Sequence, residues 1–226
     1  MRTISALIVS TLLSVSASAA GIDALSNKDT IGGLKQALTQ SAGAAVGKLG
    51  VTDGFLGNPK VKIPLPESLQ KVEGLMRSFG MGKKADELIV TMNRAAEAAA
   101  PEARALLVDA VKKMSVEDAK GILTGGDDAA TQYFRNNTSE PLAKKFLPIV
   151  KKATAKVGLA NKYNELAGKG MKFGLVTQQD ANIENYVTQK ALDGLYLMMA
   201  EEERAIRKDP LGQGSKLLQK VFGALR

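Results

Sequence analysis

Residues 180–210, DANIENYVTQKALDGLYLMMAEEERAIRKDP, form the longest uninterrupted helical pattern in the chain. Asp180 has a side chain suited to an N-cap, and Pro210 ends the helix at or before Asp209, because a residue preceding proline avoids helical angles. Gly194 interrupts the pattern and predicts close packing of a neighbouring helix. At 100° per residue the apolar positions share one face, as core-facing helices require. They are Ile183, Val187, Ala191, Leu195, Met198, Met199, Ala205 and Ile206.

One acidic residue, Glu202, lies on this apolar face, one turn from both Met198 and Ile206. Glutamate is rarely buried unless it is paired. Two interpretations therefore stay open. Either the apolar face ends near Met199 and Glu202 is solvated, or the carboxylate is partly buried and needs a cationic partner.

If Glu202 is buried, its expected partner is an arginine of the central helices, Arg94 or Arg135. We therefore treat Glu202 with Arg94 and Arg135 as a candidate buried polar pair. The adjacent Glu201 and Glu203 point in other directions, and we expect both on a solvated face.

Histidine and cysteine are both missing from the 226-residue chain. Their absence excludes cysteine nucleophiles, Ser-His-Asp triads, histidine general bases and the usual zinc or haem sites. Carboxylate, lysine, tyrosine or serine chemistry remains, together with oxygen-ligated cations such as Ca²⁺ or Mg²⁺. We expect no cofactor, and no motif identifies a catalytic or metal-binding residue.

The first 19 residues have the features of a secretory signal peptide. Arg2 provides a short positive region, residues 4–15 are apolar, and Ala17-Ser18-Ala19 fits a cleavage site. The mature chain is expected to begin near Ala20 and to carry no lipid anchor, since no cysteine follows the cleavage site. No other segment is long and apolar enough to span a membrane. These features predict a bacterial periplasmic protein.

The rest of the chain consists of helical patterns separated by short loops, with no convincing pair of strands. Helices are expected at about 29–49, 66–79, 83–99, 101–114, 115–123, 129–135, 138–157 and 215–222, with a short turn at 162–168. We predict an all-α, bundle-like domain of eight or nine helices without significant sheet. Residues 20–60 form an N-terminal helix and loop, residues 61–226 the helical domain, and 29–60 pack on it as one unit.

Turn and cap signals define several helix ends. Residues 115–118 resemble a capping box that begins at Ser115 and has Asp118 at its third helical position. Residues 125–128, GGDD, combine a helix stop with an N-cap, for which Asp127 or Asp128 is the expected residue. The helix from residue 66 is expected to bury Leu69, Val72, Met76 and Phe79. Val61, Ile63 and Leu65 are expected to pack along helices, and residues 168–176 to form a glycine-punctuated loop.

A basic face is the clearest binding signal in the sequence. Five lysines of the helix at 138–157 fall on one side, separate from its apolar residues, and no acidic residue lies between Glu140 and Glu165. They are Lys144, Lys145, Lys151, Lys152 and Lys156. Such a face is either simply solvated, or binds an anionic membrane surface or an acidic partner. Nucleic acid is not expected, because no aromatic residues interleave with the lysines.

Several short motifs together resemble the bacterial family called domain of unknown function 4197, over nearly all of the mature chain. The motifs are residues 63–66 (IPLP), 92–97 (MNRAAE), 122–126 (ILTGG), 130–135 (ATQYFR), 186–188 (YVT), 191–195 (ALDGL) and 200–203 (AEEE). The resemblance implies an exported helical protein with no assigned activity, and it supplies no catalytic residues.

Two functions from different classes fit these observations. The first is a non-catalytic cell-envelope protein that binds a partner protein, a lipid or an anionic membrane surface. The second is a divalent-cation-dependent hydrolase that uses carboxylates such as Asp193, Glu201, Glu202 and Glu203. No second acidic cluster has the spacing of a metal-binding loop, which favours the first function.

Overall fold

The helical pattern of the sequence is realised as an all-α architecture. The computed structural model describes residues 27–172 and 182–209 of the chain, which form eight α-helices and no strand. The helices are α1 (Asn27–Leu49), α2 (Glu67–Ser78), α3 (Gly82–Ala99), α4 (Ala103–Lys113), α5 (Val116–Thr124), α6 (Ala129–Thr154), α7 (Gly158–Lys172) and α8 (Ile183–Lys208). A 3-10 turn, Ala100–Glu102, joins α3 to α4. The predicted fold class is confirmed.

Helix α8 lies at the centre of the packing, in contact with α1, α3, α6 and α7. Its most extensive partner is α6, whose buried residues recur every four positions and therefore form one ridge along the helix. The core is aliphatic, with few aromatic rings. Among its largest fully buried side chains are Tyr196, Phe55, Phe134, Phe146, Met92 and Leu142.

Helix α6 is longer than predicted, because the expected break between residues 135 and 138 is absent. The polar residues that suggested a helix start there instead bond backward along one continuous helix. Asn137 Nδ2 donates to Tyr133 O, Thr138 Oγ1 to Phe134 O, and Ser139 Oγ to Arg135 O. Side chains that bond the carbonyl four residues earlier are compatible with helix interiors. Helical propensity and capping preference conflict at these residues, and tertiary packing favours the continuous helix.

Two other helix bounds differ from the sequence prediction. Helix α7 covers Gly158–Lys172, whereas we expected only a short turn at 162–168 and a loop from 168. Helix α8 begins at Ile183, with Asn182 as its N-cap, since the Asn182 side chain accepts from the Asn185 backbone N–H at 2.7 Å. Asp180, the expected cap, lies outside the described residues, as do the leader and the predicted helix at 215–222.

The segment between α1 and α2 has no regular structure, but its main apolar side chains are buried. Phe55, Val61, Ile63 and Leu65 are all at most 6% exposed, so the predicted packing along helices is confirmed. The close approach predicted at Gly194 is also present, but this segment makes it instead of a helix. A Cβ on Gly194 would lie 2.7 Å from Cε1 of Phe55.

The turn between α2 and α3 corrects one predicted core residue. Met76 is buried and Leu69 partly so, but Phe79 is 73% exposed, although we expected it on the buried face. Helix α2 ends at Ser78, and Gly80 follows with φ +74°, a conformation that favours glycine. The chain therefore turns before Phe79 can reach the core.

Candidate functional site

All five lysines of the predicted basic face are exposed on the C-terminal half of α6 and the turn that follows it. Lys144 pairs with Glu140 at 2.6 Å, and both side chains are more than 70% exposed. Within the described part of the chain, the side-chain amines of the other four make no hydrogen bond or ion pair: Lys145, Lys151, Lys152 and Lys156. We call these five residues the lysine face.

The burial of the opposite side of α6 fixes the orientation of the lysine face. Leu142, Phe146 and Val150 are fully buried against the neighbouring helices. Because residues four apart share one side of a helix, the lysines between them must project outward. The C-terminal half of α6 therefore presents an array of unpaired positive charge on a rigid, well-packed support.

A second candidate site is a groove of about 570 Å³ between α2, α3 and α7. Its apolar lining residues are Leu69, Met76, Met81, Leu159, Tyr163 and Ala167. Its charged lining residues are Lys84, Glu87 and Lys162, all exposed. The groove is close to the lysine face in the chain, since Lys156 precedes Gly158, another lining residue, by two positions.

The structure gives Glu202 a different partner from the one predicted. Its side chain is 22% exposed and forms a salt bridge with Lys48 at the end of α1. The expected arginines have other partners. Arg94 lies between Glu97 Oε2 at 2.6 Å and Asp53 Oδ1 at 2.9 Å. Glu202 is therefore partly buried with a cationic partner, as one of the two interpretations proposed, but the predicted arginine partners are wrong, because α1 covers this part of α8 and brings a lysine to Glu202.

Arg135, the other predicted partner of Glu202, lies on α6 and contacts a different part of α8. Its Nη1 approaches Asp193 Oδ1 at 3.4 Å, and its guanidinium stacks over the Tyr196 ring, 4.8 Å from the centroid. Tyr196 in turn shares hydrogen bonds with the hydroxyls of Thr138 and Ser139. Burial raises the pKa of the Tyr196 hydroxyl above its ordinary value. Arg135 therefore stabilises the interface of α6 and α8.

The buried carboxylate of α8 is Glu203, which we predicted on a solvated face. Its side chain is 7% exposed and accepts hydrogen bonds from the backbone N–H groups of Ala130 and Thr131 at 2.9 and 2.8 Å. It also accepts from Thr131 Oγ1 and pairs with Arg207 at 2.8 Å. Glu203 thus caps the first turn of α6, whereas the predicted cap Asp128 makes no side-chain capping bond. The sequence signal was the Glu203–Arg207 spacing of four.

Other motif residues hold the segment between α1 and α2 against the helices. Asn93 on α3 accepts from the Ile63 N–H at 2.8 Å and donates to the Ile63 carbonyl at 2.9 Å, as a neighbouring strand would. Glu97 accepts from the backbone N–H groups of Phe55 and Leu56. These contacts give residues 63–66 and 92–97 a structural role, because buried backbone groups require partners.

Acidic residues proposed for the hydrolase alternative are each engaged with a cation. Asp193 approaches Arg135, Glu201 pairs with Lys60 at 2.8 Å, and Glu202 and Glu203 have the partners described above. Within residues 27–172 and 182–209, no group of three or more acidic side chains could hold a metal ion. In the same part of the chain, none of the helices has the length and apolarity needed to cross a membrane.

Comparison with known proteins places the chain in a family. No curated protein and no solved structure matches it. One family model covers nearly the whole sequence, and its extent agrees with the motifs that suggested the resemblance. The chain belongs to the family described as protein of unknown function (DUF4197), whose model matches residues 24–223.

Proposed function

We propose that this protein is a non-catalytic cell-envelope protein that binds anionic membrane surfaces through the lysine face. The observation that supports this most directly is the group of four exposed lysines without a carboxylate partner, three on α6 and Lys156 in the turn after it. Lysines that neutralise no charge within the protein are available to neutralise charge outside it. Helix α6 holds three of them on one side and Lys156 follows directly, so an anionic surface can meet them together.

The physical size of the effect suits reversible membrane binding. Each lysine near an anionic surface contributes about 1 kcal/mol, and this contribution falls off within a Debye length of about 8 Å at physiological ionic strength. Several lysines acting together would therefore give a measurable, salt-sensitive affinity without insertion into the bilayer. The formal charge, +8 for the whole chain and +7 once Arg2 is removed with the leader (30 − 23), adds attraction at longer range.

The proposal includes export to the periplasm by a cleaved signal peptide. Its support is the sequence of residues 1–19, with a positive start, an apolar stretch and the Ala17-Ser18-Ala19 cleavage site. N-terminal sequencing of protein from its native host should give a start near Ala20. Soluble protein that retains Met1 would contradict this part of the proposal.

Vesicle co-sedimentation tests the role of the lysine face. The full-length mature chain should sediment with anionic vesicles at low salt and detach as salt is raised, while neutral vesicles should retain little. A variant with Lys145, Lys151, Lys152 and Lys156 all changed to Gln should lose most of this binding.

The matched control changes four other exposed lysines to Gln, with the same loss of charge spread over four elements. These residues are Lys62, Lys71, Lys113 and Lys120. The control should keep most of the binding, because the lysine face is intact in it. Equal losses in the two variants would show that net charge alone drives binding and would contradict the proposal, as would binding that is indifferent to lipid charge.

A cation titration separates this function from the hydrolase alternative. Because the carboxylates of that alternative are already paired with lysine or arginine, we expect Ca²⁺ and Mg²⁺ to leave the melting temperature unchanged. A ligand that binds the native state raises the melting temperature. A saturable rise at low cation concentration would favour the hydrolase.

A further inference from the structure

We infer that the groove between α2, α3 and α7 binds a single amphiphile with a straight alkyl chain and an anionic head group. This inference goes beyond the proposed function, since it concerns a different site and a monomeric ligand instead of a membrane surface. The groove volume of about 570 Å³ lies within the range typical of small-molecule sites.

The chemistry of the lining suits the alkyl chain. Its apolar part contains the aliphatic side chains of Leu69 and Leu159 and the thioethers of Met76 and Met81. Methionine is unbranched and adaptable, so it can follow the shape of a flexible chain better than a branched residue can. Met81 is 39% exposed at the turn from α2 to α3, which leaves apolar surface accessible at the edge of the groove.

The charges at the groove identify the head group as anionic. Lys84 on α3 and Lys162 on α7 line it from two helices, and neither makes an ion pair within the described part of the chain. Glu87 is the one acidic side chain among the described lining residues, so the groove has a surplus of positive charge. A carboxylate or phosphate placed between the lysines would satisfy both while its alkyl chain lies on the apolar residues.

Displacement of cis-parinaric acid, a fatty acid whose fluorescence reports an apolar environment, tests the inference on the full mature chain. Competitors are straight-chain carboxylates that differ by single methylenes, each below its micelle-forming concentration. Affinity should rise by about fourfold per methylene until the groove is filled, and then level off. The corresponding alcohols should bind roughly two- to thirty-fold more weakly at low salt, because they lack the charge that the two lysines recognise.

Variants locate the binding and keep the test independent of folding defects. Leu159→Glu should abolish displacement, whereas Leu75→Glu should not, since Leu75 is 60% exposed on α2 and does not line the groove. Lys84→Gln with Lys162→Gln should weaken carboxylates but leave alcohols unchanged. Thermal melting of each variant identifies any that has lost its fold.

Several outcomes would overturn the inference. They are no uptake by the folded wild-type chain, equal losses in the Leu159 and Leu75 variants, or alcohols that bind as tightly as carboxylates. A monomer–dimer equilibrium that Leu159→Glu abolishes, without probe uptake, would assign the groove to a second copy of the chain. The lysine-face variant should retain probe binding, so failure of membrane binding and failure of this inference are distinguishable.

Discussion

The substitution Glu203→Ala tests the account of how α8 and α6 are joined. In the folded chain this carboxylate accepts the N–H groups of Ala130 and Thr131 and pairs with Arg207, whose side chain is 13% exposed. Its removal leaves two backbone donors at the start of α6 without their acceptor and takes the Glu203 carboxylate away from a largely buried guanidinium. Breaking a buried pair costs about 3–5 kcal/mol, which includes the penalty of the charge left behind.

Adjacent glutamates provide matched controls on the same turn of α8. Glu202 is 22% exposed and its partner Lys48 is 57% exposed, while Glu201 is 29% exposed and its partner Lys60 is 60% exposed. Solvent screens both pairs, so each Glu→Ala change should cost about 1 kcal/mol or less. In the Glu203 variant Arg207 still donates to the Ile122 carbonyl at 2.8 Å, so part of its hydrogen bonding survives and the expected loss stays within about 3–5 kcal/mol.

Urea unfolding followed by far-UV circular dichroism measures these differences. With a slope of about 2–3 kcal/mol per molar urea, the Glu203 variant should lower the midpoint by roughly 1–2.5 M, and the controls by less than about 0.5 M. A Glu203→Gln variant should fall between them, because it keeps an acceptor for one N–H but loses the charge. Three Glu→Ala variants with the same midpoint, or a larger loss for Glu202, would refute the assignment of Glu203 as the buried cap.

Three further predictions rest on single positions. Gly194→Ala should destabilise the fold by about 1–3 kcal/mol, because the added Cβ would overlap the Phe55 ring. Gly47→Ala should instead stabilise α1 by up to about 1 kcal/mol, because the added Cβ would have no atom within 4 Å; thermal melting distinguishes the two variants. Asn93→Ala should lower the free energy of unfolding by about 2–4 kcal/mol, since it leaves the buried N–H and carbonyl of Ile63 without this partner. It should also open the segment between α1 and α2 to limited proteolysis, and unchanged cleavage would count against this. Because burial raises the pKa of Tyr196, the unfolded chain loses that proton first above about pH 10, so stability should fall as pH rises beyond that point and fall less steeply in Tyr196→Phe.

Local sequence rules predicted several helix ends and the inward and outward faces of single helices. The capping box at Ser115 and Asp118 is present with both hydrogen bonds, and Gly80 ends the turn after α2 in a left-handed conformation. The apolar periodicity placed Leu142 and Phe146 in the core and the lysines of α6 at the surface. These features depend only on the geometry of a single helix, so they can be predicted from the spacing of residues in the sequence.

Burial of particular polar residues was not predictable in this way. A helical wheel places Glu202 in the middle of the apolar face of α8. In the structure it is the next residue, Glu203, that is buried and contacts α6 beyond Met199. Which side of α8 faces α6 depends on the position at which the two helices cross, and that position is a property of the whole packing. The two candidate binding sites differ in the same way, because the lysine face follows from the pattern of one helix whereas the groove depends on how three helices pack.

The sequence by itself determined an all-α chain, its lack of histidine and cysteine chemistry, and a helix with lysines on one side. Tertiary structure decided that Glu203 caps α6, that α6 continues through residues 135–138, and that α2, α3 and α7 enclose a groove. Periodicity and capping are encoded over a few neighbouring residues, whereas a groove between three helices requires side chains that are far apart in the chain. The arrangement of the side chains that line the groove follows from the packing of the whole core, which no local sequence pattern predicts.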